Sequence, residues 1–79
     1  MQRLTKFLNR YNIFTRDIAY EILTIGTGTD VLATMSQLIY QILNSDKIPN
    51  ELIQAIRRIV NELGNRDISQ EFEQIIKEL

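Results

Sequence analysis

The chain has 79 residues, nine basic and ten acidic, for a net charge of −1, and it contains no Cys, His or Trp. Disulfides, Cys/His zinc sites and His-based catalysis are therefore excluded. The charge balance argues against a nucleic-acid partner, since such binders gather Lys and Arg on one face.

The apolar fraction of 44% and the charged fraction of 24% are those of an ordinary globular domain, not a disordered segment. A single domain of this length is near the lower size limit for folding without staples, so packing, helped where available by self-association, must supply its stability. No apolar run reaches the ~18 residues needed to span a bilayer. The opening MQRLTKFLNR is amphipathic, not a basic stub followed by a continuous apolar stretch, so an export signal is not read there and a cytoplasmic location is expected.

Five helical segments are predicted in chain order. Leu4, Phe7, Leu8 and Tyr11 form the first apolar stripe, with Arg3, Lys6 and Arg10 on another face and Asn12 as the stop. Thr15 is the expected N-cap of the second segment, with Asp17 in its first turn. Ile18, Ala19, Ile22, Leu23 and Ile25 supply the apolar side of that segment. The tract Gly26 to Asp30 breaks the chain, with Gly26 suited to a left-handed C-terminal cap and Thr29 or Asp30 to the next N-cap.

The third segment carries Val31, Leu32, Met35, Leu38, Ile39, Ile42 and Leu43, and Asn44-Ser45-Asp46-Lys47 turns the chain. Pro49 is expected at the first position of the fourth helix, where its missing N–H costs nothing. Leu52, Ile53, Ile56, Ile59, Val60 and Leu63 follow, and Gly64 ends the helix. Asp67 or Ser69 is the expected cap of the last helix, whose stripe is Ile68, Phe72, Ile75, Ile76 and Leu79. No stretch alternates with period two over a useful length, so strands are not predicted. The expected fold is all-α, a single compact bundle of four to five short amphipathic helices over residues 1–79.

At about 100° per residue, the first and last helices have apolar arcs near ~100°, as one-sided surface helices do. The arcs of the third and second helices are wider, roughly 140° and 160°, which places both at the centre of the bundle and leaves apolar surface for a homodimer. Tyr20 and Tyr40 lie just past the edges of these two arcs, where a ring covers the core rim or marks a contact patch.

The acidic residues fall at caps, in turns or on polar faces, which is no setting for a shielded acid–base pair. Glu73 and Lys77 are spaced as an i, i+4 ion pair. A phosphate cradle at the glycine tract is not supported, because the tract follows a helix, lacks the third glycine and the Walker lysine, and ends in Asp30. A helix-turn-helix reading of the last two helices fails because the would-be recognition helix exposes Glu71, Glu73 and Glu78 to DNA phosphates. Arg57 and Arg58 with Arg66 form the densest basic spot outside the N-terminal segment, and an acidic partner protein is its functional reading.

Two family patterns can be compared. Gly28-Thr29-Asp30-Val31-Leu32, with Ile48-Pro49 downstream, resembles the G-x-D-S-L signature of acyl carrier proteins. Val31 stands where that family carries the serine for its phosphopantetheine arm, so carrier chemistry is excluded. The stretch Leu38 to Leu79, a helix with an aromatic near its end, an Asn-containing turn, a helix closed by Leu-Gly and a further short helix, resembles bacteriocin immunity proteins of the enterocin A type. The resemblance implies a small cytoplasmic bacterial helical bundle that protects its producer by engaging a receptor complex at the inner membrane face.

The sequence thus predicts a non-enzymatic protein without cofactor or metal, acting on another protein as a regulator, inhibitor or adaptor. Tyr20, Tyr40, Arg57, Arg58 and Arg66 are the candidate partner-binding residues, with the Arg3, Lys6 and Arg10 face next. An immunity protein and a homo-oligomeric structural component are the alternatives.

Overall fold

A computed structural model describes residues 2–23 and 29–79. They form five helices: α1 (Gln2–Arg10), α2 (Thr15–Ile22), α3 (Thr29–Leu43), α4 (Asn50–Glu62) and α5 (Arg66–Lys77). Strands are absent among the described residues, and the fold is the expected all-α bundle. The glycine tract from Gly26 to Gly28, with its expected cap, and Ile25 of the second stripe lie outside the described residues.

Local chemistry sets the helix ends. At the end of α1, Asn12 adopts a left-handed conformation with φ 58°. The Asn12 N–H then donates to the Asn9 carbonyl (3.3 Å) and the Ile13 N–H to the Leu8 carbonyl (2.9 Å). These two bonds make a Schellman motif, and its apolar contact comes from Leu8 and Ile13, both buried. Asparagine is the non-glycine residue that tolerates this backbone best. Gly64, also left-handed at φ 66°, ends α4, its N–H donating to the Asn61 carbonyl at 3.2 Å. A Cβ built at Gly64 meets nothing within 4 Å, so backbone conformation alone is the reason for glycine there.

Four helix starts differ from expectation. Thr15 is the first residue of α2, not its cap. The preceding residue, Phe14, is extended, and its N–H is taken by the Asp17 carboxylate at 2.9 Å. Pro49 is itself the N-cap of α4, with its carbonyl accepting from the Leu52 and Ile53 N–H groups. Asn65 caps α5, its side chain accepting from the Ile68 N–H at 3.2 Å, while Asp67 contributes negative charge to the first turn. Thr29 and Asp30 already lie within α3.

The helices pack in the order α3, α2, α4, α5, α1, with α2 most extensively against α3 and next against α4. Among the described residues, fifteen buried apolar side chains form one core, and ten half-buried ones pack against it. Among the described residues no buried side chain is polar or charged. Phe72 of α5 lies against Phe7 of α1 with ring centroids 5.7 Å apart, and Phe7 meets Tyr11 edge-on at 5.0 Å. Ala19 and Ala55, fully buried on α2 and α4, keep the middle of the bundle narrow.

α2 is central, as its wide apolar arc predicts, but α3 is not. Among the described residues of α3 only Leu32, Ile39 and Leu43 are buried, while Val31 and Leu38 stay half exposed. Ser36 lies among the inward residues and hydrogen-bonds to the Leu32 carbonyl at 2.8 Å, which satisfies its hydroxyl without a partner helix. The helix packs at the edge of the bundle, so its wide apolar arc measures uncovered surface, not central position.

Candidate interaction surface

The apolar residues that remain exposed are the most informative part of the surface. Phe14, Tyr20, Val31, Leu38, Tyr40, Leu63 and Leu79 are all more than two-fifths exposed. Two of them converge. Phe14, fixed at the start of α2 by its bond to Asp17, and Tyr40, in the last turns of α3, border a cleft of about 220 Å³. Leu8, Ile13 and Leu43 contribute its apolar lining, with Thr5, Asn9 and Thr15 around it. The cleft is bordered by residues of α1, the α1–α2 link, the start of α2 and the end of α3. It is smaller than the about 300–1,000 Å³ of small-molecule sites and suits one inserted side chain. Tyr40 also borders a shallower groove with Thr15, Ser36, Gln37 and Gln41.

The remaining candidates do not join this cleft. Tyr20 projects from α2 with 69% of its surface exposed, and Tyr20 does not line the cleft. Arg57 and Arg58 are consecutive on α4, so they point about 100° apart and reach different neighbours. Arg57 makes a bidentate pair with Glu73 of α5, at 2.7 and 2.9 Å, and lies over the Phe72 ring at 5.9 Å. Its hydrogen bonds to Glu73 raise the guanidinium pKa above its ordinary value, against a lowering by burial. Glu73, which its spacing assigns to Lys77, is thereby drawn to α4. Arg58 bonds Glu21 of α2 at 2.8 Å.

The basic spot expected at Arg57, Arg58 and Arg66 is therefore largely offset from within. Arg66 is exposed and lines a separate polar groove with Asn61, Ser69, Gln70, Glu73 and Lys77. The N-terminal basic face is offset likewise, with Arg3 paired to Glu78 and Arg10 to Glu71 at 2.7 Å. Surface pairs of this kind contribute about 0–1 kcal/mol each, and their larger effect is to weaken the basic field offered to an acidic partner.

Sequence reasoning missed Phe14. Its signal was an aromatic residue standing between two helices, three positions before an acidic residue that could take its N–H. It also missed Glu71, whose carboxylate accepts from both Arg10 and the Tyr11 hydroxyl (2.6 Å) and so ties α1 to α5.

No family model, no curated protein and no solved structure matches the chain. Among the described residues, no helix is long and apolar enough to cross a membrane.

Proposed function

We propose that this chain is a non-catalytic protein-binding module that receives an apolar side chain of its partner in the Phe14–Tyr40 cleft. The observation that carries the reading is the pairing of two exposed aromatic rings around an apolar lining. Large rings that stay in water while neighbouring leucines are buried offer contact area at little cost in side-chain entropy, which is why Tyr and its like anchor interfaces. The basic groups compete little: Arg3, Arg10, Arg57 and Arg58 are each matched to a carboxylate.

The test is capture of partners from the native host by the tagged chain, repeated with Phe14→Ala and Tyr40→Ala together. Both side chains are more than half exposed, so the double variant keeps a near-native thermal melt. It is expected to lose at least tenfold in retained partner, the scale of anchor residues. Equal capture by native and variant proteins would overturn the reading.

The immunity reading is second. It is favoured by the run of α3, an Asn-containing turn, α4, Gly64 and α5, which follows the pattern of the resembling stretch Leu38–Leu79. In that case expression of the chain protects a bacteriocin-sensitive strain; an unprotected strain expressing folded protein would refute it.

A further inference from the structure

From Val31 to Ser45 the chain carries no charged side chain, so α3 has no charge on any face beyond Asp30 in its first turn. A helix whose outer face is permanently solvated normally carries charge there. On its outer side Val31, Met35, Leu38 and Ile42 follow one another at spacings of four, three and four, the repeat of a helix-pairing seam. Val31 is 50% and Leu38 47% exposed, while Met35 and Ile42 form the inner edge of the stripe, packed against the core. The shallow depression at the N-terminal part of this face is lined by Asp30, Val31, Thr34, Met35 and Leu38, all from α3. Among the described residues, no other helix contributes to it. Tyr40 lies about 160–180° around the helix from Val31 and Leu38, so this face is separate from the cleft.

We infer that the Val31–Ile42 face of α3 pairs with the same face of a second copy, antiparallel and about a two-fold axis. The register closes on itself: placing Val31 against Ile42 of the second copy also places Met35 against Leu38, and the two-fold repeats both pairs. A copy meets no like charge along this seam. At each end Asp30 of one chain faces the region of the other that holds Asp46 and Lys47, whose own charges cancel, so Asp30 meets no net charge there. Other occupants fit worse. The face lacks the Lys and Arg flanks by which an amphipathic helix holds an anionic lipid surface, and it offers nothing to a charged peptide. One 15-residue helix is about 22 Å long. A contact of that length covers less than the about 800 Å² per partner of a standard interface, so the pairing is weak and depends on concentration.

Sedimentation equilibrium from about 1 µM to about 500 µM is expected to show the average mass rising from 9.3 kDa toward that of a pair. Leu38→Glu should hold the mass at that of the single chain while far-UV circular dichroism stays native. Because the chain has no cysteine of its own, Leu38→Cys provides a second reading that does not depend on how the glutamate is tolerated. Under mild oxidation it should give a covalent dimer, whereas Gln37→Cys, on another side of α3, should not. A native chain that stays at single-chain mass throughout overturns the proposal. Pairing that survives Leu38→Glu, or cross-linking through Gln37→Cys in preference to Leu38→Cys, overturns it as well.

Discussion

Replacing Phe72 with alanine should lower the thermal midpoint by roughly 12–40 °C, enough to leave much of the protein unfolded near physiological temperature. Phe72 is fully buried, and its ring contacts Phe7 of α1 on one side and the Arg57 guanidinium of α4 on another. Truncating a buried phenylalanine to alanine costs about 3–5 kcal/mol. A chain of 79 residues has a total stability on the order of 4–12 kcal/mol. The single change therefore removes a large part of the whole, at a place where three helices meet through an aromatic ring. Circular dichroism melts of the native chain, Phe72→Leu and Phe72→Ala should fall in that order. A midpoint within a few degrees of native for Phe72→Ala would mean that this junction does not hold the bundle together.

Ala19→Leu is expected to destabilise by about 1–3 kcal/mol, although leucine is as good a helix former as most residues and more apolar than alanine. Ala19 on α2 and Ala55 on α4 are both fully enclosed, and α2 packs directly against α4. Their small side chains set how closely these two central helices approach, and three added carbons have no room without shifting a helix. Ala33→Leu on the exposed side of α3 provides the comparison, with an expected change within about 0.5 kcal/mol. Urea titrations of both variants measure the difference. An Ala19→Leu protein as stable as native would show that the α2–α4 contact is looser than its burial indicates.

The contrast between these two alanines illustrates what a sequence can and cannot carry. Helical periodicity identified the five segments because each must hide one face, and burial at 100° spacing leaves an unmistakable pattern. Asn12 and Gly64 were readable as stops because few residues accept a left-handed backbone. N-caps were harder. Asn65, Asp67 and Ser69 all carry suitable acceptors, and the choice depends on which one the incoming chain leaves extended.

The width of an apolar arc misled for α3, because it reports how much apolar surface exists and not whether a neighbour covers it. The adjacent Arg57 and Arg58 look like one charge cluster when written in a line, yet the helix sends them to carboxylates on different sides. The Phe14–Tyr40 cleft was invisible for a different reason. Its parts come from α1, the α1–α2 link and α3, and only their packing brings them together.

The Glu71 bridge to Arg10 and Tyr11 also bears on the order of assembly. It joins residues 60 and 61 positions apart, whereas α3 and α5 pack on their immediate sequence neighbours, α2 and α4. Closing so long a loop costs more conformational entropy than forming the local helix pairs, and that cost falls before the contact returns anything. The first helix in the chain is thus the last to find its seat. Weakening the bridge by Glu71→Ala should then quicken unfolding in denaturant-jump kinetics while leaving the refolding rate nearly unchanged. An equal slowing of refolding would place the α1 contact early instead. The bridge acts as a latch on a structure otherwise complete, so it governs how long the bundle stays shut more than how fast it forms.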